Sequence, residues 1–114
     1  IHCSALIDVG ESVRVPAAYY DINVARSITL MNTLISCGVE RVIFSSSCAV
    51  YGVPTTVPIP LDHPRNPISP YGRTKLAIEW FLEDCAQAGL LRAAVLRYFN
   101  AAGGSPEWGL GEAH

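Results

Sequence analysis

Short apolar runs alternate with longer amphipathic ones along this chain, and that alternation limits its fold more than any other feature. Residues 1–5 read as the end of an apolar strand, and residues 6–16 as a loop and short turn closed by Pro16. From Ala17 to Cys37, Val24, Ile28, Met31 and Ile35 recur at the spacing of one helix face. Gly38 is a natural stop, because glycine tolerates the positive φ of a helix C-terminus. Arg41-Val42-Ile43-Phe44-Ser45-Ser46 is rich in β-branched and aromatic residues without alternation, which suits a strand covered on both faces. Residues 52–68 hold five of the eight prolines and read as a long loop, a kind of loop that is often functional. Ser69 and Pro70 then serve as N-cap and first residue of a second helix. Ile78, Leu82 and Cys85 share its inner face and Gly89 ends it. Arg92 to Phe99 reads as another buried strand, and Asn100 to Pro106 leaves the sheet.

This order of strand, helix, strand, loop, helix, strand implies right-handed βαβ crossovers and a parallel sheet, an α/β fold. In such sheets ligands bind at the carboxyl ends of the strands. The three strand ends deliver Cys3-Ser4-Ala5, Ser45-Ser46-Ser47 and Tyr98-Phe99-Asn100 to one edge. The chain also opens inside an apparent strand without a methionine and stops in a Gly-rich loop, which reads as part of something longer.

Composition removes several function classes. With 114 residues, half of them apolar, and a formal charge of −2, the chain has no basic excess for nucleic acid and is too apolar to be disordered. No uncharged apolar stretch reaches the roughly 18 residues of a membrane span, and the N-terminus lacks the pattern of a signal peptide. Cys3, Cys37, Cys48 and Cys85 form no CxxC pair, and His2, His63 and His114 have no ligand spacing with them. No metal is expected; buried, reduced thiols in a cytoplasmic protein are.

Chemistry concentrates around Lys75, the only lysine. It follows Tyr71 by four residues at the start of the second helix, so the two side chains share a face. An ammonium beside a phenol favours the phenolate and pulls the phenol below its usual pKa of about 10. Ser47 ends the middle strand, where it can face Tyr71 across the strand–helix crevice. Together a serine, a tyrosine and a lysine can take a proton from an alcohol while a nicotinamide accepts its hydride. Taken singly, Ser47 also fits a serine that bonds its own backbone, and Tyr71 and Lys75 fit a surface pair.

Longer runs carry a resemblance. Val9-Gly10-Glu11-Ser12-Val13, Pro16, Tyr19-Tyr20-Asp21 and Asn23-Val24 form the first; Phe44-Ser45-Ser46-Ser47 with Val50-Tyr51-Gly52 the second; Ser69-Pro70-Tyr71-Gly72 through Lys75 the third. Leu96-Arg97-Tyr98-Phe99-Asn100-Ala101-Ala102-Gly103, then Gly111-Glu112 and His114, form the last and most specific. Over essentially the whole chain they resemble the extended short-chain dehydrogenase/reductase superfamily and, within it, the UDP-glucose (UDP-galactose) 4-epimerases.

That resemblance implies a partial Rossmann-like doubly wound parallel sheet. Residues 1–114 would be the central and C-terminal part of an NAD-binding domain running into the start of the substrate-binding region, with the Gly-rich fingerprint before residue 1 and most of the substrate domain after residue 114. Tyr71 would take the proton of the sugar 4-hydroxyl, Ser47 would bind that hydroxyl, and Lys75 would hold the nicotinamide ribose. Cys3, Ser4, Ala5, Asn23 and Phe99 would contact the NAD, and Asn100 the nucleotide-sugar diphosphate. From the residues alone, Asn23 also reads as helix surface, Phe99 as core and Asn100 as a loop cap. Glu11 is assigned to bonding the loop backbone, and Tyr19 and Tyr20 to seating the first helix.

The implied reaction interconverts UDP-glucose and UDP-galactose through a 4-keto sugar, in a parent protein that is a homodimer and needs neither nucleic acid nor a membrane. The 114 residues alone are expected to be inactive. Two departures stand out: Cys3-Ser4-Ala5 replaces a Phe-Ala-Gly or Phe-Ala-Ala triplet, and Ile7 with Asp8 replaces a lysine near the cofactor phosphates. A 4,6-dehydratase would place a carboxylate just after the catalytic hydroxyl, where this chain has Cys48-Ala49-Val50. Epimerases of UDP-N-acetylhexosamine or a UDP-pentose, and a non-catalytic NAD-binding or inactive fragment, are the other readings.

Overall fold

The structure is a computed structural model and describes residues 1–100 and 103–109. Ala101, Ala102, Gly111, Glu112 and His114, which contribute to the resemblance, lie outside the described residues.

Two parallel strands, β1 (Arg41–Ser47) and β2 (Arg92–Tyr98), pair in register from Arg41 against Arg92 to Ser47 against Tyr98. A stub of a third strand lies on the other side of β1. The His2 amide donates to the Ile43 carbonyl (2.8 Å), and the Ser45 amide donates to the His2 carbonyl (3.0 Å). All three expected strand ends therefore run the same way, as parallel crossovers require.

Helices pack on the face that carries Val42 and Phe44. These residues meet Met31 from helix α3 (Arg26–Ser36) and Ile78, Leu82 and Cys85 from helix α4 (Pro70–Gln87) in the main core. The spacing-derived face of the first helix is right: Val24, Ile28 and Ile35 join Met31 against this cluster. Gly38 and Gly89 both take positive φ where the helices end. Ser69 caps α4 as expected, its hydroxyl accepting from the Gly72 amide at 3.1 Å with Pro70 in the first turn.

Several expectations need correction. Residues 6–16 are not just loop: Val9–Arg14 forms helix α1, whose Asp8 cap accepts the Glu11 amide at 2.6 Å. Pro16 opens the next helix, α2 (Pro16–Tyr19), rather than closing a turn. Between α2 and α3 the chain widens into a π-helical segment, Tyr20–Ala25, which carries Asn23 on its buried side. Glu11 does not bond loop backbone; its carboxylate accepts from the buried Tyr19 phenol at 2.8 Å. That phenol also reaches the Asp8 carbonyl at 2.7 Å, so Tyr19 does seat the helix, whereas Tyr20 is exposed. Burial and the Glu11 carboxylate push Tyr19 up to about 12, which keeps it a donor. β1 alternates buried and open residues instead of being covered twice, and β2 is largely open. The described helices contribute their core residues to one side of the sheet only. Of the four thiols, all free, only Cys85 is buried.

Among the described residues no helix is long and apolar enough to cross a membrane. The core makes a direct prediction. Ile78 is fully buried while Trp80, two residues on, is half exposed. Ile78→Ala should cost about 2–5 kcal/mol in urea unfolding, and Trp80→Ala well under that. Equal losses would mean that α4 does not present the face described.

Candidate active site

Ser47 ends β1 and caps the 3-10 turn Cys48–Tyr51, its hydroxyl oxygen accepting the Ala49 amide at 3.2 Å. That bond is the local backbone role a strand-end serine often plays, and the same side chain lines a cavity of about 530 Å³. Tyr71 lines it too, from the first turn of α4. Ser47 and Tyr71 thus share one space at the carboxyl end of the sheet.

Two contacts bring these elements together. A Cβ on Gly72 would lie 2.6 Å from the Ala49 carbonyl oxygen and 2.9 Å from Pro67 Cβ, so only glycine lets α4 start this close to the turn after Ser47. The second contact holds Tyr71 itself. Its buried amide, which a helix start leaves without an intrahelical partner, donates to Ser12 Oγ at 3.2 Å. Ser12 is fully buried and donates to the Val9 carbonyl at 2.6 Å. Helix α1, held by Tyr19, therefore fixes the backbone of Tyr71.

Lys75 lies one turn further along α4 and is only 4% exposed. Its Nζ donates to the Ser45 carbonyl at 2.9 Å, sits 5.1 Å from the centre of the Phe44 ring and 5.8 Å from the centre of the Tyr71 ring. Burial pulls the ammonium below its ordinary value, and the nearby Cys3 opposes this. Lys75 is directed at the sheet and Tyr71, not at bulk water.

The remaining expected residues divide. Phe99 and Asn100 line the cavity beside Tyr98, and Phe99 is exposed rather than core. Cys3, Ser4 and Ala5 do not line it; Ile7 and Val9 do. Asn23 is buried, not helix surface. Its side-chain oxygen accepts from the Leu6 amide (2.8 Å), and its nitrogen donates to the Leu6 carbonyl (3.0 Å) and to Thr74 Oγ1 (3.2 Å). Asn23 thereby ties the segment after Ala5 to the helix that carries Tyr71 and Lys75. Asp8 is turned into its capping bond with the Glu11 amide, which directs that carboxylate at α1.

Sequence reasoning gave Ser12 no role in the site, placed Ile7 near the cofactor phosphates only as a departure, and missed a buried polar group behind the cavity centred on Glu79. Glu79 follows Lys75 by four residues and Tyr71 by eight, so helix spacing alone places it on the same inward face. A carboxylate on a buried face requires partners, and that signal was legible.

The profile of the NAD dependent epimerase/dehydratase family matches residues 1–109. The chain belongs to that family. A UDP-glucose 4-epimerase of Rhizobium leguminosarum bv. trifolii is 48% identical over 114 residues, all of this chain and 35% of the relative. The crystal structure of UDP-glucose 4-epimerase from Brucella ovis in complex with NAD superposes with a TM-score of 0.93 at 50% identity, over 99% of this chain and 35% of that one. The enzyme from Bifidobacterium longum in complex with NAD⁺ and UDP gives 0.92 at 39% identity, over 97% and 34%. The chain thus spans about a third of the length of the curated relatives it matches. The likeness fits the partial Rossmann-like sheet expected from the sequence.

Histidine 2 supplies a pH test of this packing. His2 is buried, its Nε2 lies 2.9 Å from Ser27 Oγ, and its ring stacks on Phe44. Burial first, then the Lys75 ammonium, hold its pKa below 6.5. The unfolded chain therefore takes up the proton first as pH falls, so His2 costs no stability above 6.5 and removes some between 6.5 and its lowered folded value. Melting temperature should fall more steeply from pH 7 to pH 5 in the wild type than in His2→Gln. Parallel curves would show that His2 titrates alike folded and unfolded.

Proposed function

We propose that a protein carrying this chain epimerises a UDP-hexose at carbon 4, interconverting UDP-glucose and UDP-galactose through a transient 4-keto sugar with NAD as cofactor. The observation that carries this reading is the single cavity joining Ser47 and Tyr71 over a buried Lys75. In this reading residues 1–114 supply the central and C-terminal part of the dinucleotide-binding domain and the start of the substrate-binding region. The solved family members bound to NAD, and in one case to UDP as well, support the cofactor and substrate class.

The residues present fit a dinucleotide. An ammonium has three N–H donors, and among the described residues one carbonyl, that of Ser45, accepts from Lys75. Lys75 can therefore hold ribose hydroxyls from below. Ile7, Val9 and the open Phe99 ring give the cavity apolar walls for a flat ring, and Asn100 at its rim can donate to a diphosphate. The segment from Cys3 to Ala5, tied down through Leu6 by Asn23, offers backbone groups at the edge. NAD, when bound, would accept a hydride and return it.

The chain's own residues perform the proton chemistry. Tyr71 Oη serves as the base: it takes the proton of the sugar 4-hydroxyl and gives it back after the keto sugar turns over, so no proton is consumed. The Lys75 ammonium stabilises the negative charge this requires. Ser47 accepts from the Ala49 amide, which leaves its own hydroxyl hydrogen to donate to the sugar oxygen and hold it against Tyr71.

Two outcomes test the reading. In a protein of the family members' length carrying this chain, Tyr71→Phe should slow conversion of UDP-galactose to UDP-glucose by about 10²–10⁴-fold or more. Near wild-type turnover would sink the mechanism, and a wild type that never makes UDP-glucose would sink the substrate. The 114 residues alone should neither turn over nor bind NAD at micromolar concentration, because they contain no GxxGxxG run of their own to cradle a pyrophosphate. A micromolar dissociation constant by calorimetry would contradict this.

A further inference from the structure

Behind the cavity, Glu79 of α4 is fully buried and receives three sets of hydrogen bonds. Ser46 Oγ donates to it at 2.5 Å. The Arg97 guanidinium donates through both Nε and one terminal nitrogen, at 2.7–3.2 Å. Arg65, from the proline-rich loop, reaches it at 3.4 Å and pairs with Glu83 as well. Arg97 in turn donates to the Tyr51 hydroxyl at 2.9 Å. Among the described residues, no buried side-chain polar atom is left without a partner.

Ser46 and Arg97 are not arbitrary partners. They face each other in the parallel register, one step before Ser47 and Tyr98; Ser46 lines the cavity together with those two, whereas Arg97 does not. One carboxylate therefore clamps the strand pair immediately behind the site. The helix bearing that carboxylate also carries Lys75 and Tyr71, one and two turns earlier on the same inward face. A helix rises 1.5 Å per residue, so Glu79 lies about 12 Å along the axis from Tyr71. A strand advances about 3.3 Å per residue, so Ser46 fixes Ser47 almost directly. Where β1 sits against α4 decides the separation of the two hydroxyl groups, and the charge-assisted bond from Ser46 to Glu79 sets where β1 sits.

We propose that Glu79 is a positioning residue: through Ser46 and Arg97 it holds Ser47 in reach of the group that Tyr71 deprotonates. This rests on the epimerase reading above and adds to it a residue that touches neither substrate nor cofactor. Misplacing a reacting group by about 1 Å can slow a reaction about 100-fold, so a small shift of β1 suffices for a large effect on turnover.

The decisive variants are Ser46→Ala, which removes one hydrogen bond and leaves the ion pairs, and Arg97→Lys, which keeps the charge but loses the planar fork. Both are made in a protein of the family members' length. Each should lower kcat about 10-fold or more while KM for UDP-galactose stays within about 3-fold. Ser46→Thr, which restores the hydroxyl, should recover most of the loss in Ser46→Ala. Hydrogen exchange supplies a readout that needs no turnover: the Ala49 amide, bound to Ser47 Oγ, should exchange faster in Ser46→Ala than in wild type. The proposal is overturned if folded Ser46→Ala or Arg97→Lys keeps wild-type kcat, or if kcat falls only in step with melting temperature and Thr gives no rescue. Unchanged Ala49 exchange in Ser46→Ala would overturn it too. Failure of the underlying reading looks different: Tyr71→Phe would then stay active whatever Ser46 does. An inactive Tyr71→Phe beside a fully active Ser46→Ala sinks this inference alone.

Discussion

A buried ammonium organises this structure. Removing a charged lysine from water is costly unless it is paired, and the lowered pKa of Lys75 records that cost. The Ser45 carbonyl and the faces of Phe44 and Tyr71 supply the compensation. For Lys75 to reach all three, α4 must cross the sheet at one place, with its first turn over the carboxyl end of β1. Everything that makes the site follows from that crossing: Tyr71 at the rim, Ser47 opposite it, and the turn after Ser47 against Gly72.

The crossing is held from both ends. Towards the helix start, Ser12 takes the Tyr71 amide and Ser69 takes that of Gly72. Two turns beyond Tyr71, Glu79 takes the strand pair behind the cavity. Apolar packing of Ile78, Leu82 and Cys85 supplies the bulk of the attachment, but it is non-directional. The polar contacts at either end convert an adhesive helix into a located one. Such location matters for a proton transfer, where the two oxygens must approach to hydrogen-bond distance.

Much of this was legible in the sequence because local rules decide it. Ser69-Pro70 at a helix start, Gly38 and Gly89 at helix ends, and the spacing of Met31 with its neighbours each act within a few residues. The placement of Ser47 and Tyr71 on one cavity, with Lys75 one turn further along the same helix, was legible as well, since parallel topology brings strand ends and helix starts to the same edge. What escaped is fixed by single contacts that no periodic pattern announces. Helix α1 is too short for a periodic signal and is fixed by Asp8 and by Tyr19 acting on Glu11. The roles of Ser12 and Asn23 depend on contacts 59 and 51 residues away along the chain. The run Arg41–Ser46 reads as doubly covered because Val42, Ile43 and Phe44 follow one another without alternation, but only alternate residues meet the helices among the described residues.

Under the proposed function, Ser47 and Tyr71 act on one sugar oxygen while Lys75 holds the nicotinamide ribose. A crystal structure of a protein containing this chain, bound to NAD and a UDP-hexose, tests that most directly. The sugar 4-hydroxyl should lie within hydrogen-bond reach, about 2.6–3.2 Å, of both Ser47 Oγ and Tyr71 Oη, with Lys75 Nζ against the nicotinamide ribose. A sugar bound away from that cavity, or a 4-hydroxyl reaching neither oxygen, would contradict it.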